Sequence, residues 1–172
     1  MDPIARIGDP APDFELTDLE GKSHSMREGL GSIVVLNFWS AECIHSTRAD
    51  AEFEELVHEW GDGVSLWCIV SNENEDDELV KSAAGQIKID RLLRDRHQIV
   101  ADSYGAVTTP HVFVIDEQGV LRYAGAFDDV SLRQRTPTRN YLREAVHAVQ
   151  KGLTPKPSER PPFGCAIIRH AI

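Results

Sequence analysis

Two cysteines at the boundaries of predicted elements are the residues of this chain best suited to chemistry. Cys43 follows an apolar run and precedes a stretch with helical spacing, and Cys165 lies in a proline-rich segment near the C-terminus. Reactive groups are more often exposed at such boundaries than inside strands. The third cysteine, Cys68, lies in the apolar run VSLWCIV, where a thiol packs as a small inert hydrophobe. The chemistry is therefore expected at Cys43 and Cys165.

The setting of Cys43 favours the thiolate, which is the nucleophilic form of cysteine. The N-terminus of a helix offers unpaired N–H groups and the positive end of the helix dipole, which lower the pKa of a thiol from about 8.5. His45 and Arg48 would add positive charge nearby, whereas Glu42 would oppose ionisation. We therefore predict that Cys43 is an attacking thiolate.

Ser46, in the sequence Cys43-Ile44-His45-Ser46, determines how a reaction at Cys43 could finish. Its hydroxyl can hydrogen-bond the Cys43 thiolate but cannot resolve a mixed disulfide, so a second sulfur must come from elsewhere. Cys165 is the candidate within the chain, because the residues after Gly152 can extend on the order of 40 Å. Cys165 could instead pack as a small residue in a docked tail or pair with another chain.

Apolar patterning predicts the elements that position Cys43. Residues 33–39, IVVLNFW, form a continuous apolar run typical of a strand covered on both faces. Helical spacing follows over residues 47–60, and a second buried strand is predicted at 64–70. Two short helices, the hairpin HVFVIDEQGVLRYAG and a helix over about 138–151 complete the pattern. This order predicts an α/β fold in which helices cover a mixed sheet.

The prolines of the C-terminal segment divide the chain into two parts. Four prolines lie between Gly152 and Cys165, so the last helix cannot continue there. We predict one domain over residues 1–152 and an extended tail over residues 153–172.

Composition excludes several classes of function. The 172 residues are 41% apolar and 27% charged, as in a globular protein, and the net charge of −10 opposes binding to nucleic acid. No apolar run approaches the roughly 20 residues needed to cross a bilayer. The N-terminal segment MDPIARIGDP lacks the features of a secretory signal, so we expect a cytoplasmic protein without a membrane partner.

Four segments resemble one branch of the thioredoxin-like superfamily. VVLNFWSAEC resembles the active-site strand and turn of thioredoxin-like proteins, and GDPAPDFELTDLEGK resembles the N-terminal hairpin of redoxins, the alkyl hydroperoxide reductase/thiol-specific antioxidant and TlpA-like branch. TTPHVFVIDEQGVLRYAGAFDD and RPPFGCAI resemble the cis-proline loop of that branch and the Gly-Cys tail of one redoxin subgroup. The resemblance implies a thioredoxin-like three-layer sandwich and cofactor-free thiol chemistry.

The resemblance also implies roles for individual residues. Pro110 would be the cis-proline beside Cys43, and the backbone of Thr109 would pair with an incoming peptide. The site departs from Cys-x-x-Cys because Ser46 takes the place of the second cysteine. We favour a thiol-disulfide oxidoreductase, whose partners would be protein or small-molecule disulfides and an external thiol reductant.

A thiol peroxidase that forms a sulfenate on Cys43 is the alternative. Peroxiredoxins resemble the chain from Gly8 onward, and Ser40 and Arg122 fit their peroxide-orienting hydroxyl and their arginine. Leu36, however, occupies the position of their proline. The partial match makes peroxides the second substrate class.

A non-catalytic redox or metal-binding module is a further alternative. Cys43, His45 and Cys165 could serve as soft ligands for copper or zinc. The remaining candidates, His97, His111 and His170, lack the spacing of a metal site. We therefore expect no resident metal.

Overall fold

A computed structural model describes residues 4–169 and shows a mixed sheet of eight strands. The strands of this sheet are β1 (Glu15–Asp18), β2 (Ser23–Ser25), β3 (Ile33–Phe38), β4 (Val64–Val70), β5 (Arg91–Arg94), β7 (His111–Ile115), β8 (Leu121–Gly125) and β9 (Glu159–Arg160). Two further strands, β6 (Thr108–Thr109) and β10 (Cys165–Ala166), form an antiparallel pair of their own. The helices are α1 (Ile44–Trp60), α2 (Asp77–Ala84), α3 (Ile99–Tyr104) and α4 (Tyr141–Gln150).

Strand β3 lies in the middle of the sheet, whose order is β2-β1-β5-β4-β3-β7-β8-β9. It runs parallel to β4 and antiparallel to β7. Alternate side chains point to opposite faces of a strand, and here both faces are covered. Val35 packs in the core formed with α1 and α4, whereas Leu36 packs in the core formed with α3. Burial on both faces explains the continuous apolar run and confirms the predicted layered α/β architecture.

Helix α1 follows β3 after a short loop, and Cys43 at the end of this loop is the N-cap of the helix. Phe53, Leu56 and Trp60 recur on the buried face of this helix and fix it against the sheet. Gly61, with a φ of 71°, ends the helix at the residue that the sequence predicted. Because strand and helix are both anchored in the core, the loop between them has a defined position.

Strand β5 was not predicted from the sequence. Its four residues, RLLR, are too few to show a period, and arginine occupies both ends. The strand exists because its neighbours pair with it, β4 in parallel and β1 in antiparallel orientation. Tertiary pairing therefore overrides a weak local preference here.

The segment after α4 runs along the sheet in an extended form. Strand β9 pairs in parallel with β8, and β10 pairs with β6 farther along the chain. The division between a domain over residues 1–152 and a tail over 153–172 stays a prediction. Among the helices of residues 4–169, none is long and apolar enough to cross a membrane.

Candidate active site

Cys43 is buried at the N-terminal end of α1, where its backbone is extended and caps the helix. Only 2% of the residue surface is exposed. Its Sγ lies 3.1 Å from the carbonyl oxygen of Thr109 and 2.7 Å from the Sγ of Cys165. The structure therefore brings together the nucleophile and the resolving residue that were predicted from the sequence.

Strand β10 carries Cys165 to this position. Cys165 pairs with Thr109 in the antiparallel register, and the N–H of Ile167 donates to the carbonyl oxygen of Val107 at 3.0 Å. The ring of Phe163 contacts the ring of His45, with 4.9 Å between their centroids. Cys165 is thus held on both sides, and it is more exposed than Cys43.

The two thiols have opposite pKa shifts. Burial raises the pKa of Cys43, but hydrogen bonds from Cys165 and from the backbone N–H of Ser46 outweigh burial and bring it below the ordinary value of a cysteine. Burial and the adjacent Cys43 sulfur raise the pKa of Cys165 to about 11. Cys43 is therefore the sulfur of the pair that ionises first, and the S–H of Cys165 stabilises its thiolate.

The hydroxyl groups of two serines hold the loop before Cys43. The N–H of Ser40 donates to the Oγ of Ser46 at 3.4 Å, and the Oγ of Ser40 donates to a carboxylate oxygen of Glu75 at 2.6 Å. The backbone N–H of Ser46 helps to lower the pKa of Cys43. Ser46 therefore supports the site through its backbone as well as through its hydroxyl.

Glu75 is the residue at the site that sequence reasoning missed. It is buried, and the same carboxylate oxygen that binds Ser40 also accepts the N–H of Glu42 at 3.0 Å. A guanidinium N–H of Arg94 donates to its backbone carbonyl at 2.7 Å. In the sequence, Glu75 lies within the acidic run NENEDDE, and no residue of this run was predicted to belong to the site. The position of Glu75 directly before Asp76, the N-cap of α2, does not distinguish it from the other acidic residues of the run.

Thr109 lies beside Cys43, with its carbonyl oxygen 3.1 Å from the Cys43 Sγ, and Pro110 is the next residue along the chain. The peptide bond between them is cis. The backbone edge of Thr109 that would meet an incoming peptide is occupied by Cys165 of β10.

The structure places Arg122, which resemblance to peroxidases matched to their arginine, away from Cys43. Its Nε donates to Asp116 at 2.7 Å. It lies in β8 near Ile115, which pairs with the start of β3, whereas Cys43 follows the end of that strand. The length of a six-residue strand, on the order of 20 Å, separates the two ends.

The positive charge expected from Arg48 is shared with carboxylates. The guanidinium of Arg48 makes two hydrogen bonds to Asp128, at 2.6 and 3.2 Å, and lies 3.6 Å from Glu52. Arg48 thus ties α1 to the segment before α4 instead of facing the thiolate as a free charge.

The histidines do not assemble around the thiols into a metal site. Within residues 4–169, no group of three or more His, Cys, Asp or Glu side chains is arranged to hold a metal ion. His97 is exposed, and burial lowers the pKa of His111 to about 4. His170 lies outside the described residues.

Known proteins resemble this chain in sequence and in fold. "Thiol-disulfide oxidoreductase ResA" of Halalkalibacterium halodurans is 34% identical over 120 residues, which cover 69% of this chain and 67% of that protein. The crystal structure of a hypothetical protein of Sinorhizobium meliloti, SMc02350, is also similar. The match covers 97% of this chain and 96% of that chain, with a TM-score of 0.86 and 29% sequence identity.

A third protein identifies the fold. The thioredoxin domain of a thiol-disulfide oxidoreductase from Bacteroides vulgatus matches 76% of this chain and 92% of that chain, with a TM-score of 0.60 and 22% identity. This likeness confirms the predicted thioredoxin-like fold. Because the sequence profile of the AhpC/TSA family matches residues 7–124, a stretch that includes Cys43 and Pro110, the chain belongs to the AhpC/TSA family.

Proposed function

We propose that the protein is a thiol-disulfide oxidoreductase whose redox pair is Cys43 and Cys165. The observation that carries the proposal is the separation of 2.7 Å between their sulfur atoms. A disulfide requires about 2.05 Å between sulfurs, so a small movement would join them. The opposite pKa shifts give each sulfur a separate task, attack for Cys43 and resolution for Cys165.

In the first step, the Cys43 thiolate attacks one sulfur of a substrate disulfide, R–S–S–R′. A bond forms between Cys43 and the R sulfur, and R′–S⁻ leaves. In the second step, Cys165 attacks the Sγ of Cys43, forms the Cys43–Cys165 disulfide and releases R–S⁻. The substrate gains two electrons, and the protein loses two.

The first step prepares the second. The Cys43 sulfur, together with burial, raises the pKa of Cys165 in the resting pair. Once Cys43 is part of a mixed disulfide, its negative charge is gone and no longer opposes ionisation of Cys165. Cys165 then loses its proton more easily, and the departing R–S⁻ can take that proton.

External thiols complete the cycle. An incoming thiolate attacks Cys165, the more exposed sulfur, and Cys43 leaves as the stabilised thiolate. A second thiol then releases the first from Cys165. The two thiols end as a disulfide, and both cysteines are restored.

Contacts at the site favour this reaction over peroxide reduction. Ser40 donates its hydroxyl hydrogen to Glu75, and Arg122 lies at the other end of the sheet, paired with Asp116. The two residues matched to peroxidase positions therefore do not converge on Cys43.

Nonreducing peptide mapping after mild oxidation tests the proposal. We expect a Cys43–Cys165 crosslink within one chain, together with reduction of insulin disulfides that Cys43→Ser abolishes. Cys68→Ser is the matched control, because Cys68 is buried in β4 and should leave both results unchanged. Absence of the crosslink, or full activity of Cys43→Ser, would contradict the proposal.

A further inference from the structure

The C-terminal tail occupies a groove that crosses the site at Cys43. The tail residues Gly164–Ile168 lie between β6 on one side and the segment after β4 on the other. We propose that this groove docks an extended polypeptide substrate that resembles the tail, with a glycine before its cysteine and an apolar residue two positions after it. The proposal rests on the proposed function of Cys43 and adds the substrate class.

Backbone groups on both sides of the groove are paired with the tail. Ile167 donates its N–H to the carbonyl of Val107 at 3.0 Å. On the other side, the N–H of Ile168 donates to the side-chain oxygen of Asn72 at 2.7 Å, and its carbonyl accepts the N–H of Glu73 at 3.1 Å. The tail contributes only backbone N–H and C=O groups to these bonds, and any extended polypeptide carries the same groups. The bonds can therefore hold another extended polypeptide in the position of the tail.

Two positions of the groove select side chains. A Cβ added at Gly164 would lie 2.1 Å from the carbonyl oxygen of Thr109, so the groove admits only glycine there without a shift of backbone. The side chain of Ile167 is buried in the core cluster that contains Phe38 and Tyr104. Ile168, by contrast, is 46% exposed and selects nothing. The groove therefore recognises the pattern Gly-Cys-x-apolar.

The tail and a substrate must use this groove in turn. Cys43 is covered while Cys165 lies on it, so a polypeptide disulfide can reach the thiolate only after β10 has left β6. Departure of β10 also frees the strand edge and the site of Ile167. A polypeptide with the same pattern then replaces the contacts that were lost, and the returning tail displaces it during resolution.

Mixed-disulfide formation in the full-length Cys165→Ser variant tests the proposal. The probes are two peptides, RPPFGCAIIR and RPPFVCADIR, and glutathione, each activated as a mixed disulfide with thionitrobenzoate. The Cys43 thiolate forms a disulfide with the probe and releases coloured thionitrobenzoate, so the rate is read directly. We expect the first peptide to react at least about tenfold faster than the second, because valine and aspartate do not fit the two selective positions.

Variants of the tail test the competition. In the Cys165→Ser background, adding Gly164→Ala or Ile167→Ala should weaken tail docking and raise the rate with the first peptide severalfold. Ile168→Ala is the matched control and should leave that rate unchanged, because its side chain is exposed.

The outcomes separate this proposal from the proposed function. Equal rates for the two peptides, or rates that neither Gly164→Ala nor Ile167→Ala changes, would overturn the docking proposal. If activated glutathione still labels Cys43 in that case, the proposed function stands. Failure of all three probes to label Cys43 would contradict both.

Discussion

At the scale of single residues, Cys43 and Cys165 carry the same thiol group, and their neighbours give the two thiols different pKa values. Cys43 caps a helix and receives hydrogen bonds, whereas Cys165 faces the Cys43 sulfur. The S–H of Cys165 is one of the contacts that lower the pKa of Cys43. Cys165 thus affects the reactivity of Cys43 before it takes part in any bond.

The rate of Cys43 alkylation should show this arrangement in its dependence on pH. The rate should rise with pH until Cys43 is deprotonated, at a pH below that of an ordinary cysteine, and then stay constant. In the unmodified pair, ionisation of Cys165 should follow only near pH 11 and should appear as a second step in the ultraviolet absorbance of the thiolates. A single transition at the ordinary cysteine value would contradict the assignment.

Replacement of Cys165 should change the pKa of Cys43 in a graded way. Serine keeps a hydrogen-bond donor beside Cys43, whereas alanine removes it. We expect a lower pKa for Cys43 in Cys165→Ser than in Cys165→Ala, as measured by the ultraviolet absorbance of the thiolate against pH. Identical values in the two variants would show that the donor has no effect.

At the scale of elements, α1 is fixed by a buried charge as well as by apolar packing. Asp128, whose side chain is 3% exposed, accepts two hydrogen bonds from Arg48 of α1. An ion pair of this geometry is strongly held, because removal of the arginine leaves an unpaired buried carboxylate. The pair links the helix that carries Cys43 to the segment before α4.

Loss of this pair should destabilise the protein more than loss of an exposed one. We expect Arg48→Met to lower the free energy of unfolding by about 2 kcal/mol, since Arg48 itself is partly exposed. Arg143→Met, which removes an exposed pair between α4 and Glu59 of α1, should cost less than about 1 kcal/mol. Urea unfolding measures both, and equal losses would argue against the special role of Asp128.

The sequence predicted elements with a clear period and missed features fixed by distant neighbours. Helix α1 is buried on one face and therefore has apolar residues at helical spacing, and β4 is buried on both faces and therefore has a continuous apolar run. The boundaries of both elements match the prediction closely. Strand β5 has no recognisable sequence pattern, because it is formed by pairing with β1 and β4. At the site, Cys43 was visible from its junction, whereas Glu75 acts through contacts across 35 and 33 positions. The position of Arg122, paired with Asp116 away from Cys43, could not be predicted because a resemblance between sequences does not give the distance between two side chains.

At the scale of the whole molecule, the redox pair joins two distant parts of the chain. Cys43 and Cys165 are 122 positions apart, so their disulfide would close most of the sequence into one loop. A crosslink over a loop of this length restricts the unfolded chain and stabilises the fold by up to about 5 kcal/mol.

The oxidised protein should therefore resist unfolding more than the reduced protein. We expect a higher urea midpoint after oxidation, and no difference between oxidising and reducing conditions for Cys165→Ser. If oxidation left the wild-type midpoint unchanged while the crosslink was present, strain in the closed form would have to offset the gain.

Strand β9 limits how far Cys165 can travel. The sequence alone allowed a reach of some 40 Å from Gly152, but pairing of Arg160 with Gly125 of β8 fixes the segment much nearer the site. Cys165 lies only five positions after Arg160, so the tether spans about 17 Å when extended. A sulfur confined to so small a volume has an effective concentration of millimolar or more. Resolution by Cys165 should thus outpace a second thiol from solution, so that partners leave before they accumulate as adducts.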